Sequence, residues 1–278
     1  MSGVAVVTDS TASFPPGLAE LHGVHVVPLH VVLGHRAGPE GSEVSPGDVA
    51  LALTDRRVRV TTSRPTPGQF LSTYRRCGSD RVVSVHLSGA LSGTLESARS
   101  AAMKAATEGI DVRVVDSRSL AMGLGFAALA AARQARAGAG LDAVEAAAAC
   151  CDTTSLFYVD TLEHLRRGGR TTAAAALLGT ALSVKPLLVV RDGGIHLLEK
   201  VRTASKALGR LRQLVADEVA GHVELAVHHQ SAPDRAAALA EGLRQDLPRV
   251  QAIHESEVGA VIGAHAGPGL LGVVVCRR

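Results

Sequence analysis

The sequence predicts an α/β protein in two halves. The first is built on a mainly parallel, doubly wound sheet with helices on both faces, and the second is an α/β domain with antiparallel pairing. Three observations carry that expectation. In the first half an apolar strand ends in a small polar loop that opens a helix, at Val4–Val7 with Thr8-Asp9-Ser10-Thr11 and again at Val112–Val115 with Asp116-Ser117. In the second half two apolar runs, Leu182–Val190 and Ile195–Val201, flank Arg191-Asp192-Gly193-Gly194, a hairpin signal with Gly where positive φ is required. A chain of 278 residues that is 46% hydrophobic can also fill two cores. The boundary is expected between the Ala-rich helix Leu141–Cys151 and the strand Ser155–Val159, giving domains 1–154 and 155–278.

After the first strand, Pro15–Leu21 reads as a helix with proline tolerated in its first turn. Val24–Val32 is a second strand region, and Pro28 inside it marks an edge or a bend. Gly34–Pro46 turns to Gly, Pro, Ser and charge, a surface excursion ahead of a short helix at Asp48–Thr54. A loop is expected from Thr61 to Gly68, where Pro65 and Pro67 fix the backbone, followed by a helix at Gln69–Arg75. Val82–His86 is a strand whose loop leads into a helix striped by Leu95, Ala98, Ala101, Ala102 and Ala105, with Ser92 at its N-cap. Leu120–Ala137 is a long helix. Thr203–Val219 is a basic amphipathic helix, Val223–Val227 a strand, Pro233–Asp246 a helix and Leu270–Val275 a closing strand.

Net charge is +3 and aromatics are 2%, which leaves neither a basic stripe nor a stacking platform for nucleic acid. Cys77, Cys150, Cys151 and Cys276 lack CxxC spacing and read as reduced, mostly buried thiols of a cytoplasmic protein, with no metal site expected. The N-terminus enters a strand pattern directly, and the Ala-rich runs are broken by charge before they could span a bilayer, which still allows transient membrane contact.

Four loops concentrate candidate chemistry. Ser92-Gly93 opens a helix, where unpaired N–H groups and the dipole can hold an oxyanion; a plain cap uses the same residues. Thr61, Thr62 and Ser63 crowd three hydroxyls into one short span, although Ser and Thr beside Pro are ordinary turn formers. Leu165-Arg166-Arg167-Gly168-Gly169-Arg170 sets three guanidinium groups around two glycines that would also serve as a helix C-cap, ahead of an apolar helix from Thr171. Ile262-Gly263-Ala264-His265-Ala266-Gly267-Pro268-Gly269 places a His in a loop of small residues, which permit close approach by ligand or backbone.

In order along the chain, Val7-Thr8-Asp9-Ser10, Thr62-Ser63-Arg64-Pro65-Thr66, Leu91-Ser92-Gly93-Thr94, Val115-Asp116-Ser117, the Leu165–Arg170 run, Lys185-Pro186, Val201-Arg202-Thr203 and the Ile262–Gly269 run form one set. With them the chain resembles the DegV family of bacterial fatty-acid-binding proteins over nearly its whole length. One local departure is that family members often carry a Tyr and an Asp in the excursion, where residues 34–39 have neither. The resemblance implies a long-chain fatty acid in a buried apolar tunnel between the two domains, no other cofactor and no catalysis by the chain itself. It implies that Thr62 and Ser92 contact the carboxylate, with Ser63, Gly93 and Gly267 beside them, and that Arg170 and His265 stand close to the same end. Some members present the acid to a separate ATP-binding fatty acid kinase. Arg202 and Lys206, with Arg210 four residues on, would then share a basic docking face. Two other readings fit part of the pattern. One is a binding module for a small phosphorylated metabolite. The other is a Ser92–His265 esterase, which lacks the Gly-x-Ser-x-Gly elbow and a third acidic member.

Overall fold

The computed structural model describes residues 3–55, 57–170 and 184–278. The helix expected from Thr171 and the first two residues of the expected strand at Leu182 lie outside them. The chain packs as two compact units, one of residues 1–30 and 63–151 and the other of residues 31–62 and 152–278. Segment 31–62 therefore packs with the C-terminal half, which a single division at 154/155 does not anticipate.

The first unit begins with β1 (Ala5–Asp9), a 3-10 turn at Ser10–Ala12, α1 (Leu18–His22) and β2 (Val24–Val27). Helix α1 starts later than the prolines suggest, because Gly17 ahead of it takes φ +79. The chain then crosses to the other unit through β3 (His30–Leu33), β4 (Arg36–Pro39), α2 (Pro46–Thr54) and β5 (Val60–Ser63). It returns with α3 (Pro67–Arg76), β6 (Arg81–His86), α4 (Thr94–Ala106), β7 (Asp111–Asp116), α5 (Met122–Arg136) and α6 (Leu141–Ala149). Strands β2, β1, β6 and β7 pair in that order, all parallel. Successive strand residues face opposite ways, so Val6 packs with Leu124 and Ala128 of α5 while Val7 packs with Phe70, Tyr74 and Ala98 of α3 and α4. Both faces are thus covered, as a parallel sheet requires. Pro28 follows the edge strand β2, where its missing donor costs no ladder bond. The N-cap of α4 is Gly93 rather than Ser92, whose Oγ accepts the Thr94 amide at 3.3 Å from one position earlier.

In the second unit β4, β3 and β5 form a three-stranded sheet. Thr61, Thr62 and Ser63 accordingly lie on a strand, not in a loop, because segment 31–62 supplies its own pairing partners. The excursion is also more than surface: β4 runs through it, and Glu40 after it is 7% exposed. Helix α2 starts at Pro46 with a Ser45–Asp48 capping box. The rest comprises β8 (Thr153–Tyr158), α7 (Glu163–Arg167), β9 (Lys185–Arg191), β10 (Gly194–Val201), α8 (Ala204–Glu218), β11 (Val223–His229), α9 (Pro233–Asp246), β12 (Ala252–Glu257), α10 (Ala260–Ala266) and β13 (Leu271–Arg277). Six strands pair as β10-β9-β8-β13-β11-β12, antiparallel except for β11 with β12. The hairpin turn has Asp192 at φ 52 and Gly193 at φ 77, both positive as the sequence pattern requires. Helices α8 and α9 bury Leu211, Val215, Leu239 and Leu243 against Leu187, Leu225 and Val273 of this sheet. Of the four thiols only Cys276 is buried, and Cys150 is exposed, which corrects the expectation of mostly buried cysteines. Among the described residues no helix is long and apolar enough to cross a membrane.

Candidate functional site

In the second unit a cavity of about 480 Å³ gathers residues from β5, the end of α7 and the end of α10. Each arrives by a local backbone device. Helix α7 closes in a Schellman turn: Gly169 takes φ +68 and donates to Arg166 O at 3.0 Å, and the Arg170 N–H donates to Leu165 O at 3.1 Å. The turn delivers Arg170 to the cavity wall, where its guanidinium donates to Gly168 O. Helix α10 ends at Gly267, φ +80, which leaves His265 on the last helical turn rather than in the loop expected from its small neighbours. A β-carbon on Gly168 would run into the His265 imidazole, and one on Gly267 would run into the His164 imidazole. The two glycines therefore admit the two rings, each from the other's segment.

His265 Nε2 and Thr62 Oγ1 share a hydrogen bond of 2.9 Å. Burial first, and then the Arg170 charge, push the imidazole down to about 4, so the ring is neutral at pH 7 with one nitrogen donating and the other accepting. His164 is lowered as well, by burial and then Arg167. The charged side chains lining the cavity are Arg57, Arg59, Arg167 and Arg170, with no carboxylate among the described lining residues. Glu163 meets Arg167 at the surface. Such a wall offers hydroxyl and imidazole groups at hydrogen-bonding range and positive charge around them, a setting for an oxyanion.

Thr62, Arg170, His265 and Gly267 are thus gathered within one unit. Ser92 and Gly93 belong to the other unit, where Ser92 Oγ meets Thr94 Oγ1 at 2.9 Å. Arg64 Nη1 donates to Gly93 O at 3.3 Å, and a β-carbon on Gly93 would collide with that guanidinium. Ser63 is exposed at the end of β5. Ser92 Oγ meets Thr94 Oγ1 and His265 Nε2 meets Thr62 Oγ1, each within its own unit. A different chain of groups, unanticipated from sequence, lies sealed under the first sheet: Tyr74 Oη to Ser84 Oγ at 2.9 Å, Ser84 Oγ to His86 Nε2 at 2.7 Å, and His86 Nδ1 to Asp9 Oδ2 at 3.0 Å. All four residues are fully buried. Asp9 Oδ2 also accepts the Leu87 amide at 3.0 Å, so this chain ties β1 to the loop that leads to Ser92.

Arg202 and Lys206 are exposed at the start of α8. Arg210 does not share their availability, because it grips Glu199 through Nε and Nη2. The expected basic face is therefore narrower by one residue. Among the described residues no cluster of three or more His, Cys, Asp or Glu could hold a metal ion. Arg57, Arg59 and His164 line the cavity without a sequence signal that singled them out, apart from the position of His164 immediately before the Leu165–Arg170 run.

Comparison with known proteins gives a consistent answer. A family model described as an uncharacterised protein of the DegV family matches residues 3–278. A DegV domain-containing protein of Streptomyces coelicolor is 56% identical over 281 residues, covering 99% of each chain. Among solved structures, a fatty-acid-binding DegV family protein from Thermus thermophilus superposes with TM-score 0.91 at 32% identity and full coverage of both chains. DegV of Bacillus subtilis, described as a fatty acid binding protein, superposes with TM-score 0.87 at 34% identity, again over the whole of both chains.

Proposed function

The chain belongs to the DegV family, and from that premise we propose that it binds a long-chain fatty acid and presents the carboxylate to a separate fatty acid kinase. The observation that carries the reading is the Thr62–His265 hydrogen bond at the wall of a cavity whose charged lining residues are arginines. The fatty-acid-binding DegV proteins that share this fold support the ligand class.

The energetics suit a carrier. Burying a methylene contributes about 0.8 kcal/mol, so a chain of about sixteen carbons supplies on the order of 12 kcal/mol gross before the cost of association. The tail then dominates affinity, and the head site needs only to orient the carboxylate. A bidentate arginine would occupy both carboxylate oxygens. Thr62 and a neutral His265 hold the group more lightly and leave one oxygen able to attack. In the kinase reaction that oxygen attacks the γ-phosphorus of ATP on the partner, ADP leaves, and an acyl phosphate forms. Arg170, with Arg57 and Arg59 on the same wall, then faces a head group of greater negative charge. Ser92, Ser63, Gly93 and Gly267 remain proposed ligand contacts, and Arg202 with Lys206 the proposed docking residues.

The arginine lining also favours a second reading, a small phosphorylated metabolite as ligand. Mass spectrometry of small molecules extracted from the purified protein decides between them. One fatty acid per chain is the expected result. A phosphorylated metabolite, with no fatty acid at that stoichiometry, would overturn the carrier reading.

A further inference from the structure

The excursion after β3 carries a residue whose side chain reaches the helix that bears His265. Glu40, which bridges to Val44 just past β4, is 7% exposed and accepts the Val261 N–H on Oε2 at 2.9 Å across 221 positions of sequence. Val261 lies in the first turn of α10. The N-cap of that helix is Gly259, which has no side chain to satisfy the free amides, and a β-carbon there would strike the Glu40 carboxylate. Glycine at 259 and glutamate at 40 are thus two halves of one cap.

The other end of α10 is held from the same small sheet. Thr62 on β5 meets His265 one turn further along, while Glu40 follows β4. Between them Gln230 donates to Pro46 O at 3.0 Å, and its carboxamide fills the space that a side chain at 263 would need. A helix of seven residues has little stability of its own, so its axial position is set by what grips its ends.

We infer that Glu40 is a positioning residue for the head site: by capping α10 it fixes where the His265 imidazole stands against Thr62. The consequence for ligand affinity rests on the fatty-acid reading above, whereas the placement of the ring does not.

Two readouts separate these parts. The first is the ¹⁵N signature of the His265 ring in delipidated protein, assigned by its loss in His265→Gln. The second is calorimetric titration with oleate. Glu40→Ala should move the His265 ring signals toward those of an exposed imidazole and weaken oleate by roughly fivefold. Glu40→Gln, which keeps an acceptor oxygen at the same reach, should restore the wild-type signals and stay within about twofold in affinity. Leu239→Ala, a core truncation on α9 in the same unit, should lower the melting temperature and leave the ring signals in place. Unchanged His265 signals in Glu40→Ala, or the same shift in Leu239→Ala, overturns the inference. Should Glu40→Ala fail to fold, Glu40→Asp, shorter by one methylene, is read in its place against the same two outcomes. Absence of oleate binding in the wild type counts against the fatty-acid reading alone, because the ring signals are recorded without ligand.

Discussion

At the scale of single residues, the proposed head site rests on one hydroxyl and one ring in hydrogen-bonding contact, Thr62 with His265. Thr62→Val keeps the shape of the side chain and removes the hydroxyl, so it should weaken fatty acid binding by about 1–3 kcal/mol without unfolding the protein. Ser92→Ala tests the separate proposal for Ser92 in the same calorimetric titration, and unchanged affinity in both variants would exclude both hydroxyls from the site. His265 makes a second prediction. Folding pushes its ring from 6.5 down to about 4, so between those values the unfolded chain binds a proton that the folded chain does not. Stability then rises with pH across the window, and acidification through it removes about 3 kcal/mol at this ring. The fully buried His228, also lowered to about 4, adds a comparable amount. His265→Gln should therefore lower the slope of urea-unfolding free energy against pH between 4 and 6.5, leaving the part carried by His228 and by the other histidines that burial lowers, His164 and His254. A slope equal to wild type would contradict a neutral, buried His265. Thr62, Arg170 and His265, singled out by local motifs ordered along the chain, line one cavity in the structure, and their role toward a ligand stays a proposal. Glu40, Arg57, Arg59 and His164 were not legible, since what makes each of them matter is a neighbour far away in sequence, 221 positions away for Glu40.

At the scale of elements, periodicity identified most of the helices and strands and failed where burial was achieved by other means. Strand β12 reads Ala-Ile-His-Glu-Ser-Glu, with Ser256 its one buried residue, because it lies at a sheet edge and needs no apolar alternation. Helix α10 has Gly263 within it and Gly267 at its end, a composition that reads as loop, yet five of its seven residues are buried and its cap comes from elsewhere in the chain. Strand β5 was hidden for a related reason: its hydroxyl residues look like turn chemistry until β3 is beside them. Helix α8, by contrast, lies within one residue of the expected Thr203–Val219, with Thr203 as its N-cap and Ala207, Leu211 and Val215 buried on one face. It also carries a test of the docking proposal. Arg202→Glu with Lys206→Glu should leave fatty acid content unaltered and slow kinase-dependent acyl-phosphate formation at low salt. The gap to wild type should narrow as salt rises, because such charges act on encounter and are screened over about 8 Å at physiological ionic strength. Equal rates at low salt would move the docking surface away from this helix.

At the scale of the whole molecule, the two halves expected from sequence are both present as α/β units, with a parallel sheet in the first and mainly antiparallel pairing in the second. What a linear reading could not anticipate is that the second unit is assembled from two stretches of chain separated by residues 63–151. Composition does not mark the crossing, because β3 continues the apolar run of β2 past Pro28. This discontinuity has a consequence for biosynthesis. A ribosome releases residues 31–62 long before Val261 and His265 exist, so the three-stranded sheet emerges with Glu40 and Thr62 facing partners not yet translated. The first unit can complete itself once Cys151 has left the exit tunnel, whereas the second must wait for α10 and β13. A nested series of C-terminal truncations should therefore show protease resistance of segment 31–62 appearing in one step, only after the chain extends beyond Gly267. Resistance already present in chains that stop at Asp246 would show that the early segment matures without the helix it later grips.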